Sequence, residues 1–410
     1  MPGPLSHLTV LDLSRVLAGP WCTQFLADLG ASVVKIEKPG SGDDTRAWGP
    51  PWLRDADGVD TPESAYYLAC NRGKRSVAVD FTRPEGQAIV RELAVQADVV
   101  VENFRVGGLA KYGLDYANLS AINPRLVYCS ITGFGQTGPY AERAGYDFII
   151  QGIGGFMSVT GERDELPGGG PQKAGVAIAD LMTGMYAAAA ILAAIAQRDV
   201  SGRGQYIDTA LLDTTVAMMA VMNMNYLVSG RPPGRLGNAH PSIVPYQVFA
   251  CADGHLILAV GTDAQFAKFC EQAGVPGYAA DPRFAKNADR VAHRGQLVPL
   301  IAGVLRERTQ REWLELLEPA GIPCGPINRI DQVFADPQVI ARGMRLDLPH
   351  PLAGTVPQVA NPVRFSGTPV AHELAPPLLG EHTTEVLAER LGFADATIAE
   401  LARRGIVGVR

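Results

Sequence analysis

Cysteine is scarce and irregularly placed. Cys22, Cys70, Cys129, Cys251, Cys270 and Cys324 form no C-x-x-C pair. A disulfide framework is therefore not expected, and buried thiols in a reducing compartment fit better. The seven histidines are scattered, and no H-E-x-x-H, G-x-S-x-G or P-loop pattern occurs. Zinc-protease, nucleophile-elbow and phosphate-loop chemistry are set aside, and no metal is expected. Excess positive charge is also missing. The formal net charge is −6, which argues against a partner that is nucleic acid or an anionic membrane. The N-terminus has no basic segment leading into an apolar one, so no signal peptide and a cytoplasmic location are expected. Repeats and low-complexity tracts are absent.

Long apolar runs are rare, with one exception. Residues 174–196, AGVAIADLMTGMYAAAAILAAIA, carry a single charged residue, Asp180. The length would span a bilayer. The composition is Ala and Gly rather than Leu and Ile, and a charge at bilayer depth costs about 3 kcal/mol. The segment reads as a core helix of a large protein.

What is present is alternation. Residues 8–13, 32–37, 76–80, 98–102 and 126–131 read as short buried strands. Helical stretches at 21–29 and from Thr82 to about 96 separate them; T82-R-P-E85 reads as a capping box. Strand–helix–strand repetition predicts a parallel sheet with right-handed crossovers, in an α/β Rossmann-like domain. Helices are expected over 180–198 and 209–228. A D-G turn between 246–249 and 255–260 predicts a hairpin, and T309-Q-R-E312 a second capping box. Residues 330–380 read as an extended return path, with a closing helix at 383–391. The expected division is 1–229 and 328–410 for a large domain and 230–327 for a small α+β domain.

Two motifs invite chemistry. Gly133-Phe-Gly-Gln-Thr-Gly138 matches G-x-G-x-x-G and follows a strand. Pro139 and YAERAGYD follow it without a helical stripe, so a turn lined by amides is expected rather than a dinucleotide site. Asp180 lies among apolar neighbours. Desolvation would raise its pKa and sharpen it as a nucleophile. It could equally be the N-cap of the helix after it. Basic residues Lys35, Lys38, Arg46, Arg72, Lys74, Arg75, Arg83, Arg105, Lys111 and Arg143 are expected mostly on solvated surface, with a few holding phosphates at strand ends.

Several stretches resemble the class III CoA-transferases. They are LDLSRVLAGPWCTQFLADLGASVVKIEKPGSGDDTR (11–46), NRGKRSVAVDFTRPEG (71–86), DVVVENFRVGGLAKYGL (98–114), SITGFGQTGPYAERAGYD (130–147), GGFMSVTG (154–161), GVAIADLMTGMYA (175–187), GIPCGPIN (321–328) and PPLLGEHTTEVL (376–387). The resemblance implies an interlocked homodimer, each chain having a large Rossmann-like domain and a small one. It implies acyl-CoA and small carboxylic acids as partners, coenzyme A as substrate, and no tightly bound cofactor. The G-x-x-x-x-D-x-x-x-G pattern from Gly175 to Gly184 selects Asp180 as nucleophile. CoA contacts carry over to Val16, Leu17, Ala18, Lys38, Val79, Asp80, Phe81, Thr82, Asn103, Phe104, Lys111 and Arg143, and Asp147 matches an acidic residue near the reacting centre. GSGDDTRAWGPP (40–51) and AHPSIVPYQVF (239–249) resemble the subgroup using succinyl-CoA and glutarate. Arg46, His240 and Ser242 are then the candidates for holding a distal carboxylate; the alternative for Arg46 is a pair with Asp43 or Asp44. Formate-handling members have Gln where this chain has Leu17, and some have Arg at Lys38. A racemase-type isomerase and a non-catalytic CoA-binding protein are the other readings.

Overall fold

The computed structural model describes residues 3–370 and 372–410. They form a mixed α/β protein divided into two compact units. The first holds residues 1–156, 174–224 and 337–410; the second holds 157–173 and 225–336. Residues 157–173 group with the second unit, although they fall within the 1–229 stretch read from the sequence as the first part of the large domain.

The first unit is built on a sheet whose strands are β1 (Thr9–Asp12), β2 (Ser32–Glu37), β3 (Lys74–Val79), β4 (Val99–Glu102), β5 (Val127–Thr132) and β6 (Tyr206–Ala210). Their order is β3-β2-β1-β4-β5-β6, all parallel. The short strand Val407–Gly408 pairs antiparallel with β3. Strand alternation separates two apolar faces. Leu11, Val34, Val77 and Val100 pack on one side with Ile89, Val90 and Leu93 of the helix Pro84–Gln96. Val10, Val33, Val99 and Val127 pack on the other with Cys22 and Leu26 of α1 (Ala18–Asp28). Each such fully buried side chain contributes about 1.5–3 kcal/mol.

Two further helices position the site. They are α2 (Asp147–Ile153) and α3 (Ile178–Ser201). Helix α3 is the apolar segment. Its Ala187, Ala188, Ile191, Ala194 and Ile195 join the second core face, and buried Arg198 pairs with Asp98 at 2.8 Å. Gly184 explains its closeness to α1: a Cβ there would stand 2.6 Å from the Ala18 carbonyl oxygen.

Several expectations change. The capping box at Thr82 does not form; its hydroxyl bonds Asp80 at 2.6 Å, and Arg83 occupies the N-cap without a side-chain bond. The box at Thr309 and Glu312 does form. The single helix expected over 209–228 is strand β6 followed by Leu211–Met218 and Val221–Ser229, broken at Ala220 with φ 41°. The return path contains a hairpin, Arg345–His350 against Gly354–Val359.

The second unit has its own core. Strands Tyr246–Ala250, His255–Ala259 and Cys324–Pro326 form an antiparallel sheet. Phe249, Leu256, Leu258, Phe266, Phe269, Ile301 and Trp313 pack on it, and the Trp313 indole donates to the Leu305 carbonyl at 2.8 Å.

Candidate active site

The chain winds outward from β1 to β3, then crosses to β4 on the other side of β1. In open parallel sheets the crevice at such a reversal, outside the carboxyl ends of the strands, is where ligands bind. A cavity of about 510 Å³ lies there. Leu13 after β1, Lys38 after β2, Val79, Asp80, Phe81 and Thr82 at the end of β3, and Phe104 after β4 line it, with Lys111. Seven of the residues carried over from the family therefore share one cavity. Arg15 and Arg105 line it as well, adding two cations. Arg15 was not singled out in the sequence; its signal is an Arg just beyond a strand end.

Val16, Leu17, Ala18, Asn103 and Arg143 are not on that lining. Val16, Leu17 and Ala18 carry the chain from β1 into α1, with Leu17 at the N-cap. The Asn103 carboxamide is engaged at both ends: its oxygen accepts from Arg15 N–H at 2.8 Å, and its nitrogen donates to the Arg15 carbonyl at 2.6 Å. Arg143 is exposed and lies over Tyr140, 4.4 Å from the ring centroid.

Asp180 is the third residue of α3, and the N-cap is Ala177. It is therefore not the cap. Part of that duty falls to Asp147 at the start of α2. Its Oδ1 accepts from Ala179 N–H at 2.9 Å and its Oδ2 from the Gln151 amide at 2.7 Å. The Asp180 carboxylate has no hydrogen-bond or ion-pair partner among the described residues. Burial pushes its pKa up to about 7, and the neighbouring Asp147 charge adds to the shift. Asp180 and Gly184 stand one turn apart, so they share a helix face. That face touches Ala18.

Tyr66 belongs to the same neighbourhood. Burial and then the Asp180 charge push its hydroxyl up to about 12. Its ring meets Trp48 edge-on at 5.1 Å. No sequence pattern marked Tyr66.

Arg46 is corrected. It is 8% exposed and makes hydrogen bonds to both Glu37 oxygens at 2.8 Å, to Glu63 at 3.2 Å and to the Pro377 carbonyl at 3.0 Å. Its guanidinium lies 3.6 Å from the Tyr67 ring centroid. So committed, it has no fork left for a substrate, and its partners are not Asp43 or Asp44. Lys35, Lys74 and Arg72, expected on the surface, are buried in ion pairs as well. His240 and Ser242 lie in the second unit, where the His240 Nδ1 accepts from Ser242 N–H at 3.0 Å. The Gly133–Gly138 segment is a turn, with Gln136 N–H bonded to Asp208 at 3.0 Å. Among the described residues, no group of three or more His, Cys, Asp or Glu side chains could hold a metal ion.

The protein thus has an α/β sheet with a switch-point cavity lined by Lys38, Lys111, Arg15 and Arg105 and also by Glu37, Asp43 and Asp44, Arg15 being paired with Asp44 at 3.0 Å, and an unpaired carboxyl on α3. The chain belongs to CoA-transferase family III, whose profile matches residues 5–383. The succinate–glutarate CoA-transferase of Agrobacterium fabrum is 55% identical over 386 residues, covering 94% of this chain and 95% of that one. The human succinyl-CoA:glutarate CoA-transferase is 42% identical over 404 residues, covering 98% and 90%. A crystal structure of a CAIB/BAIF family protein from Brucella suis aligns with TM-score 0.84 at 50% identity, covering 95% of this chain and all of that one.

Proposed function

We propose that this CoA-transferase moves CoA from succinyl-CoA to glutarate or a dicarboxylate of similar length, with Asp180 as the acylated residue. The observation that carries the reading is the Asp180 carboxyl, partly buried, without a cation and raised to about 7. Such a carboxylate is poorly solvated once ionised and so is a better nucleophile. It attacks the thioester carbonyl, the C–S bond breaks, and a mixed anhydride and CoA thiolate result. The thiolate attacks the aspartyl carbonyl and releases succinate, leaving an aspartyl–CoA thioester. The acceptor carboxylate and CoA reverse these steps. Thioester energy is retained, so neither ATP nor a metal enters the scheme.

The cavity beside Lys38, Lys111, Arg15 and Arg105 takes the phosphate-bearing end of CoA in this reading. The β3-β2-β1-β4-β5-β6 order supports a Rossmann-like large domain. His240 and Ser242 remain the proposed donors for a distal carboxylate. The interlocked homodimer is proposed too: Tyr146, Phe148, Ile149, Ile153, Val176 and Tyr186 expose apolar surface on or beside α2 and α3. The racemase alternative is not favoured, because the relatives more than 40% identical carry transferase names. The test is incubation with labelled succinyl-CoA and a panel of acids. Glutaryl-CoA formation is expected, and Asp180→Ala should abolish it. Undiminished transfer by that variant overturns the assignment.

A further inference from the structure

Val16 has φ 69°. A β-branched residue is rarely left-handed, because its Cβ crowds the backbone. Something must hold it there. The peptide linking Arg15 to Val16 is gripped at both ends. Its carbonyl oxygen accepts from the Asn103 amide at 2.6 Å. Its N–H points at the Asp43 carboxylate, 3.2 Å from Oδ1 and 3.3 Å from Oδ2. Asp43 cannot swing away. Its Oδ2 accepts from the Lys35 ammonium at 2.9 Å, and its Oδ1 accepts from the Thr45 N–H at 3.0 Å and hydroxyl at 2.8 Å. Lys35 also donates to the Ser14 carbonyl at 2.8 Å. The Lys35 and Asp43 side chains are fully buried. Three side chains, Lys35 within β2, Asp43 in the loop after it and Asn103 just past β4, thus fix the backbone just before α1.

That backbone leads into the Asp180 neighbourhood. Ala18 is the residue that Gly184 touches, one helical turn from Asp180. We propose that Asp43, anchored by Lys35, is a positioning residue for CoA transfer. It clamps the Arg15–Val16 peptide with Asn103, keeps Val16 left-handed, and so sets the amides of Leu17 and Ala18 against the face of α3 that carries Asp180. The inference rests on Asp180 being the acylated group. A strained hinge held by buried partners presents those amides with little reorganisation when charge develops on the thioester oxygen.

Val16→Gly tests this without a buried charge being orphaned. Glycine takes either sign of φ, so the strain is relieved and the clamp holds a hinge that has lost its stiffness. The melting temperature should hold or rise, while kcat falls by about ten- to a hundredfold because the amides are no longer fixed. KM for succinyl-CoA should change less than kcat. A residue that only packs would show the reverse: lower stability and normal turnover of the folded protein. Asp43→Asn should lower kcat in the parent and much less in the Val16→Gly background, since the two act through one torsion. If Asp43→Asn does not fold, Val16→Gly alone decides. Full kcat in Val16→Gly overturns the inference. Asp180→Ala run alongside separates the failures. Loss of transfer there with normal Val16→Gly turnover removes only the positioning role; retained transfer removes the Asp180 reading itself.

Discussion

Asp12 and Asp180 are both recessed carboxylates in the first unit, and they are treated oppositely. Asp12 is fully buried, yet it accepts from Lys74 at 3.0 Å, from the Thr23 hydroxyl at 2.6 Å and from Ser14 N–H at 2.9 Å. Burial pushes its pKa up, but Lys74, Lys35 and the hydroxyls outweigh it, and the net is a fall to about 2. Asp180 has no cation, only the Asp147 charge, and rises to about 7. Glu37 and Asp43 follow Asp12: each is held low by cations despite burial. Carboxylates matched by cations stay ionised. Glu102 at the end of β4 has no cation and is also pushed up to about 7 by burial, but its oxygens accept from the Ser130 hydroxyl and from Phe104 N–H; Asp180 has neither kind of partner among the described residues.

Removing each carboxylate or its partner breaks the comparison in a different observable. The largest effect is on Asp180→Ala, where transfer should fall by roughly 10³-fold or more while CoA affinity changes little. Asp180→Asn should also stabilise. Its folded pKa exceeds the unfolded value of 3.8. The native state therefore keeps a proton that the unfolded chain loses between roughly pH 4 and 7, and stability falls across that window. The variant should be more stable than the parent at pH 8 by about 1–2 kcal/mol, allowing for partial exposure, and equal near pH 4. A variant less stable than the parent at pH 8 contradicts the unpaired carboxylate.

Lys74→Met should act on the other side of the comparison. It strands Asp12, and urea denaturation should show a loss of about 3–5 kcal/mol. Asp12 itself gives the opposite slope to Asp180: its stabilisation is present above the unfolded pKa and is lost as pH falls from about 4 to 2.

The pH profile sharpens the contrast. In the proposed mechanism Asp180 must be ionised to attack, so kcat/KM should rise with pH and level off above about 7. Asp147→Asn keeps an acceptor for Ala179 N–H but removes the like charge, so the inflection should move down by a fraction of a unit. An upward move contradicts the assignment. The smallest effect is on acceptor choice in Arg46→Gln. Because Arg46 is tied to Glu37 and Glu63, the ratio of activities on glutarate and a monocarboxylate of matched length should not change, and the loss should be in stability. A loss confined to dicarboxylates would reopen Arg46 as a substrate ligand.

Local chemistry made much of this legible. The strand Ser32–Glu37, the box at Thr309 and the helix Thr383–Leu391 coincide with their sequence signals. Those signals lie within a few residues of one another. What failed depends on distant partners. Lys74 and Asp12 are 62 positions apart, and nothing at Lys74 announces a buried mate. Asp180 could be cap or nucleophile by sequence. The donor at Ala179 is met by Asp147, 32 positions earlier, which leaves Asp180 unengaged. Strand β6 was hidden by its shortness and by the apolar helix after it. The hairpin at Arg345–Val359 was hidden by its prolines.

The pairing of Val407–Gly408 with β3 also bears on the order of synthesis. β3 is complete early in translation, but its outer edge stays open until residues 407 and 408 are made. The Ala78 N–H waits for the Thr383 hydroxyl, and the Ser76 carbonyl waits for His382 N–H. A nascent chain therefore carries an unpaired strand edge from the synthesis of β3 until that of residues 407 and 408. Such an edge is a template for pairing with another copy. Loss of the Val407–Gly408 pairing would leave that edge open, turning a finished sheet into one prone to aggregate.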